Sequence, residues 1–222
     1  MSCKEIERKN FPLVLYNESS CQPILLYTET KLEGDYSLRY IGEWKDTVKW
    51  YHALSAPPPP IKKVAGQELN DLIKPWYLFE NFRFEHYPNQ EYDSILGNLN
   101  IIIDTTQHIT IFHQAWELKV CFTDYPVLIQ NTDTFDIDIS IDEQVMLEIE
   151  ALNENHEWVQ IDKNYFVECG SGIETYTLHP QHICLTSMPK YDGDFLTKMR
   201  VRLGKNVSNE IDTKLSRKLL VP

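Results

Sequence analysis

Between about residue 95 and residue 211 the sequence is a chain of short β-favouring stretches, each four to seven residues long, parted by Asn, Asp and Gly. Val, Ile, Thr, Tyr and Phe carry these stretches. Such side chains crowd the preceding turn of a helix but pack well on a pleated surface. Where apolar and polar residues alternate, the period of two belongs to a strand with one buried face. The stretches fall at 99–103, 109–112, 117–122, 127–130, 135–141, 145–151, 158–161, 175–178, 181–186, 198–203 and 207–211. Strands at that spacing, joined by turns such as Asn153-Glu154-Asn155 and Asp192-Gly193, predict a mainly β, antiparallel β-sandwich over 95–222.

Residues 1–94 form a second, β-rich region. The pattern predicts strands at 11–16 and 24–28, and a hairpin from 36–41 and 47–51 around Gly42-Glu43-Trp44-Lys45-Asp46. Pro57-Pro58-Pro59-Pro60 lacks four backbone donors and favours polyproline II, so it reads as a stiff connector at 57–60. Leu69, Leu72 and Ile73 have helical spacing and Pro75 stops them, which predicts one short helix over 66–74. The aromatic run 76–86 alternates like a half-buried strand.

The 222 residues include 21 Lys and Arg against 33 Asp and Glu, a net charge of −12 with a pI near 5.0. Nucleic-acid binding needs clustered cations, so the expectation is no nucleic-acid partner. The excess is local: residues 117–174 hold 14 acids and only Lys119 and Lys163 as bases, a net of −12, whereas 175–222 hold 8 bases and 4 acids. A concentrated negative field selects partners with basic surfaces. No apolar stretch reaches the roughly 18–20 residues of a membrane helix. A membrane link is therefore expected only through a lipid anchor at Cys3. That residue, in Met-Ser-Cys-Lys-Glu, is placed like the acylated Cys of a processed bacterial lipoprotein, or is an ordinary surface Cys near a terminus.

Within the acidic block, Asp136-Ile137-Asp138-Ile139-Ser140-Ile141-Asp142 is the sharpest pattern. As a strand it sends the three isoleucines inward and lines the other face with Asp136, Asp138, Ser140 and Asp142. Like charges about 7 Å apart must be solvated, paired or metal-bound. No Asp-x-Asp-x-Asp-Gly loop accompanies them, so the expectation is a solvated face or a partner-binding face of Asp136, Asp138 and Asp142, and no metal. His179 and His182, three apart in an assumed strand, diverge. Cys169-Gly170-Ser171-Gly172 with His179 and Asp136 or Asp138 admits a hydrolase reading. The Gly-x-Ser-x-Gly elbow is absent, and a glycine-rich hairpin loop or a Cys169–Cys184 bridge explains the same residues. No phosphate loop, dinucleotide fingerprint or zinc-ribbon spacing occurs, so no cofactor is expected.

The stretches Tyr125-Pro126-Val127-Leu128-Ile129-Gln130-Asn131, Glu150-Ala151-Leu152-Asn153-Glu154-Asn155-His156-Glu157-Trp158, Leu185-Thr186-Ser187-Met188-Pro189 and Arg200-Val201-Arg202-Leu203-Gly204 together resemble an uncharacterised family of small β-sandwich proteins of Bacteroidetes-type bacteria, among them predicted lipoproteins. The resemblance covers about 95–212. It implies an immunoglobulin-like or jelly-roll sandwich and brings no activity. In the same stretches Trp158 is expected to plug the space between sheets, Gly193 to adopt positive φ, and Arg200 and Arg202 to share one face opposite Met199, Val201 and Leu203. The expected function is a non-enzymatic binding protein, anchored at the envelope if Cys3 is acylated, or an acidic immunity-type protein that masks a basic toxin.

Overall fold

The computed structural model describes residues 11–16, 23–29, 31, 36–50, 97–115, 118–141, 144–162 and 175–221. The proline run 57–60, the helix expected over 66–74, the aromatic run 76–86, Cys3, Asp142 and Cys169 lie outside the described residues. The protein is mainly β and antiparallel, built as stacked sheets, and among the described residues no sheet closes on itself.

The strands run in order β1 (Leu13–Tyr16), β2 (Tyr40–Gly42), β3 (Thr47–Trp50), β4 (Leu99–Ile103), β5 (Ile109–Ala115), β6 (Leu118–Asn131), β7 (Ile137–Ile141), β8 (Gln144–Val145), β9 (Glu148–Leu152), β10 (Trp158–Gln160), β11 (Thr175–Leu178), β12 (Ile183–Pro189), β13 (Phe195–Leu203), β14 (Asn206–Val207) and β15 (Ile211–Leu215). One sheet has the order β2-β12-β6-β4, with β5 beside the first half of β6. It faces a second sheet, β10-β9-β13, whose far edge carries β14 and β15. A three-stranded sheet, β11-β7-β8, and a parallel pair, β1-β3, complete the set.

The two faces of the β12–β6 sheet are both buried, which is why its central runs are unbroken apolar stretches rather than alternations. Val127 and Ile129 point with Ile101, Ile103 and Cys184 into the main core, which Met199, Val201 and Leu203 fill from the opposite sheet. Leu128, Ile183 and Leu185 point the other way, into a smaller core closed by Val14 of β1 and Val48 of β3. N-terminal residues thus cover the outer face of the sandwich and, through β2, also extend one of its sheets.

Several local expectations change. Strands β2 and β3 are not a hairpin: β2 pairs with β12 and β3 with β1, where Val48 enters the smaller core beside Val14. The stretches 117–122 and 127–130 are one fourteen-residue strand, β6, running through Pro126. Pro126 O accepts from Asp104 N–H at 3.1 Å, so the backbone of this residue faces the step between β4 and β5. Its missing N–H therefore removes nothing from the β6–β12 ladder. Trp158 does not enter the core. Register pairs Val159 with Ala151, and Val159 takes the core side, so Trp158 lies on the outer face under the Arg200 guanidinium, 4.0 Å away. Gly193 is not at positive φ. It is required because a Cβ there would sit 2.0 Å from the Leu215 carbonyl carbon. Arg200 and Arg202 do share the face opposite Met199, Val201 and Leu203, all three fully buried.

Candidate functional site

The alternation of β7 sorts its residues as expected: Ile137 and Ile139 are buried and Asp138 is exposed, with the exposed Asp136 just ahead of the strand. Ser140 departs from the pattern. It is buried, and its Oγ accepts from Tyr176 N–H at 3.2 Å where β11 shifts register against β7. The two described acids are partnered from β11 and the turn after it. Thr177 Oγ1 donates to Asp138 Oδ1 at 2.7 Å, and His179 Nδ1 lies 2.9 Å from Asp136 Oδ1. Both side chains of the Asp136–His179 pair are more than half exposed. Asp142 lies outside the described residues.

His179 and His182 come together rather than diverge, with ring centroids 5.4 Å apart in an edge-to-face arrangement. The reason is a turn where a strand was expected. Gln181 has φ 62°, and His182 N–H donates to His179 O at 3.0 Å. Asn131, fully buried at the end of β6, builds this corner. Its Nδ2 donates to Phe135 O (2.8 Å) and Leu178 O (2.7 Å), its Oδ1 accepts from Asp133 N–H (2.9 Å), and its backbone C=O accepts from Gln181 N–H (3.0 Å). One side chain thus holds the loop before Asp136 and the end of β11. Sequence reasoning passed over Asn131; the signal was an Asn at a strand end followed by the turn-formers Thr132-Asp133. Asp133 in turn caps Asn98, whose N–H donates to Oδ2 at 2.5 Å and holds the Asp133 carboxyl below its usual range.

Other described acids of the block are committed differently. Glu150 lies between two arginines of β13: Arg200 Nε donates to Oε2 at 2.6 Å and Arg202 Nε to Oε1 at 2.7 Å. Burial works against the Glu150 charge, but the hydrogen bonds from Arg202 and Arg200 outweigh it and hold the carboxyl below the ordinary glutamate value. Glu154 pairs with Arg217. Asp124 and Asp162 are buried. The antiparallel pairing of β9 with β13 therefore folds part of the acidic block against the basic tail that follows it.

A shallow concavity of about 420 Å³ opens beside the β9–β10 turn, lined among others by His156, Phe195, Leu196 and the Lys198–Asp212 ion pair. Asp136, His179 and His182 do not line it. Of the residues in the hydrolase reading, Asp136 and His179 meet, Asp138 turns to Thr177, and Cys169 lies outside the described residues. Cys184 is a free, fully buried thiol that burial pushes far above its usual pKa, not half of a bridge. Among the described residues no group of three or more His, Cys, Asp or Glu is placed to hold a metal ion. Comparisons with protein-family models, curated proteins and solved structures give no match.

Proposed function

We propose that this chain is a non-enzymatic binding protein, a β-sandwich that offers the acidic end of β7 to a protein with a basic surface. One observation carries the reading. Asp136 and Asp138 are exposed side by side, and among the described residues their partners are His179 and Thr177 rather than a Lys or Arg. Glu150 and Glu154, by contrast, are already neutralised by arginines of the same chain. Exposed carboxylates without a resident cation keep their field for an incoming one. An acylated Cys3 would tether the protein to a membrane, and an immunity-type role would set the acidic face against a basic toxin.

The test is capture from the native lysate at low and at high salt, with wild type and an Asp136→Asn/Asp138→Asn variant as baits. The expected result is a captured protein of high pI, lost at high salt and depleted by the double variant. Equal capture by the variant overturns the reading. The hydrolase reading differs in requiring turnover, and loss of ester or amide hydrolysis on Cys169→Ala is the result that would replace the binding role.

A further inference from the structure

Residues 36–42 run between two sheet edges. On one side Ser37 bridges Gln144 of β8, and Val145 N–H donates to Tyr36 O at 3.0 Å. On the other, Arg39 N–H donates to Leu185 O at 2.9 Å, Thr186 Oγ1 donates to Ser37 O at 3.0 Å, and Tyr40–Gly42 pair with β12. This one segment therefore joins the β11-β7-β8 sheet to the β12-β6-β4 sheet. Take it out, and the edges of β8 and β12 face each other unpaired.

Its first residue is tied down by a buried carboxyl group. The Tyr36 hydroxyl donates to Asp162 Oδ2, and Ile149 N–H of β9 donates to Asp162 Oδ1 at 3.1 Å. Asp162 is 5% exposed and Tyr36 2%. The carboxyl thus links the inserted segment to the opposite sheet. Among the described residues the other groups around it are Tyr191 just after β12, Asp124 of β6, which accepts from Ser187 Oγ at 2.8 Å, and the Gln160 side chain of β10. Burial pushes both tyrosines far above their usual range, so they stay neutral.

We propose that Asp162 and Tyr36 form a proton-controlled latch on the inserted segment, in which neutral Asp162 keeps residues 36–42 seated between β8 and β12 and ionised Asp162 favours their release. Burial raises the Asp162 pKa to about 6 from 3.8, against the opposing hydrogen bonds from Tyr36 and Ile149. A carboxyl with a raised folded-state pKa binds its proton more tightly when buried than when hydrated. The seated form is therefore fully favoured at low pH, and that preference is lost as pH rises through about 6. Opening lets water reach the carboxylate and frees Val145 N–H and Leu185 C=O for another strand.

Hydrogen exchange on the full chain at pH 5 and pH 7, corrected for intrinsic rates, tests this. The opening equilibrium of amides in 36–42 is expected to rise roughly tenfold between the two pH values. An Asp162→Asn variant, which holds no titrating proton, is expected to open equally at both. Should that variant not fold, Tyr36→Phe removes a bond that favours the carboxylate and is expected to move the pH midpoint upward. The latch is overturned by pH-independent opening of 36–42 in wild type, by an unshifted midpoint in Tyr36→Phe, or by a pH response shared equally by β13 and β15, which assigns the proton to global unfolding.

Discussion

Asn209 stands in for a β-strand beside Ile103: its Oδ1 accepts from the Ile103 N–H at 2.8 Å, and its Nδ2 donates to the Ile103 carbonyl at 3.1 Å. Asn206 does the same at the other end of β4, accepting from Leu99 N–H at 3.0 Å and donating to Gly97 O at 3.1 Å. Two side chains from the facing sheet thus occupy the outer edge of β4. An edge strand left with open donors and acceptors is a template for pairing with another chain, and these two side chains cover both ends of this edge without a further strand.

Asn209→Ala is accordingly expected to cost about 1–3 kcal/mol, the desolvation of two backbone groups left without partners. Urea unfolding measures it, and size-exclusion chromatography should show concentration-dependent association through the opened edge. A loss below about 0.5 kcal/mol, within the range of ordinary surface changes, would refute the edge-sealing role.

Glu150→Ala takes from the half-buried Arg200 the carboxylate that it shares with Arg202. The expected loss is about 3–5 kcal/mol, as for other broken buried pairs. Because the Glu150 carboxyl is held below its ordinary value in the fold, its contribution is present above the unfolded value of 4.5 and fades as pH falls below it. Glu150→Gln should therefore lower stability at pH 7 yet flatten the acid limb of the stability curve. An acid limb identical to wild type would contradict the assignment.

Gly193→Ala puts a Cβ against the backbone of Leu215 and Ser216, at 2.0 and 2.4 Å, where no flexible side chain can yield. The start of β13 and the end of β15 must part. Overpacking of this kind costs about 1–3 kcal/mol or more, visible as a lowered Tm. A variant as stable as wild type would mean that this approach is not maintained in solution.

Asp136→Asn with Asp138→Asn should leave urea stability within about 0.5 kcal/mol of wild type, since both carboxylates are exposed and, among the described residues, bound to Thr177 and His179. A basic partner should nonetheless dissociate faster and show a weaker salt dependence. A large stability loss would mean that the pair serves the fold and not a partner.

What the sequence makes legible is periodic. Ile137 and Ile139 inward against Asp138 outward, and Met199, Val201 and Leu203 inward against Arg200 and Arg202, follow from the pleat alone. What was not legible depended on residues far away in the chain. Pro126 argues locally for a break, yet its backbone faces the step on β6 where β4 gives way to β5. Trp158 looked like a core plug until the register of β9 placed Ala151, and with it Val159, on the inner side. His179 and His182 were spaced for opposite faces of a strand, and only the contacts of Asn131 show that a turn brings them together. The candidate face was half visible: the acids were evident, whereas their neutral partners on β11 depended on a pairing no local pattern encodes.

The segment that joins the two sheets also fixes an order of events during synthesis. Ser37 meets Gln144 across 107 residues, and Tyr40 meets Leu185 still later in the chain. At about 5–20 residues per second, residues 36–42 leave the ribosome roughly 7–30 s before their last partner strand exists. Until then the main core has no closed sheet above it, and the apolar strand β6 waits with one edge open. Seating of residues 40–42 is therefore set by the arrival of β12, and a nascent chain stalled before residue 183 holds an N-terminal strand without its partner.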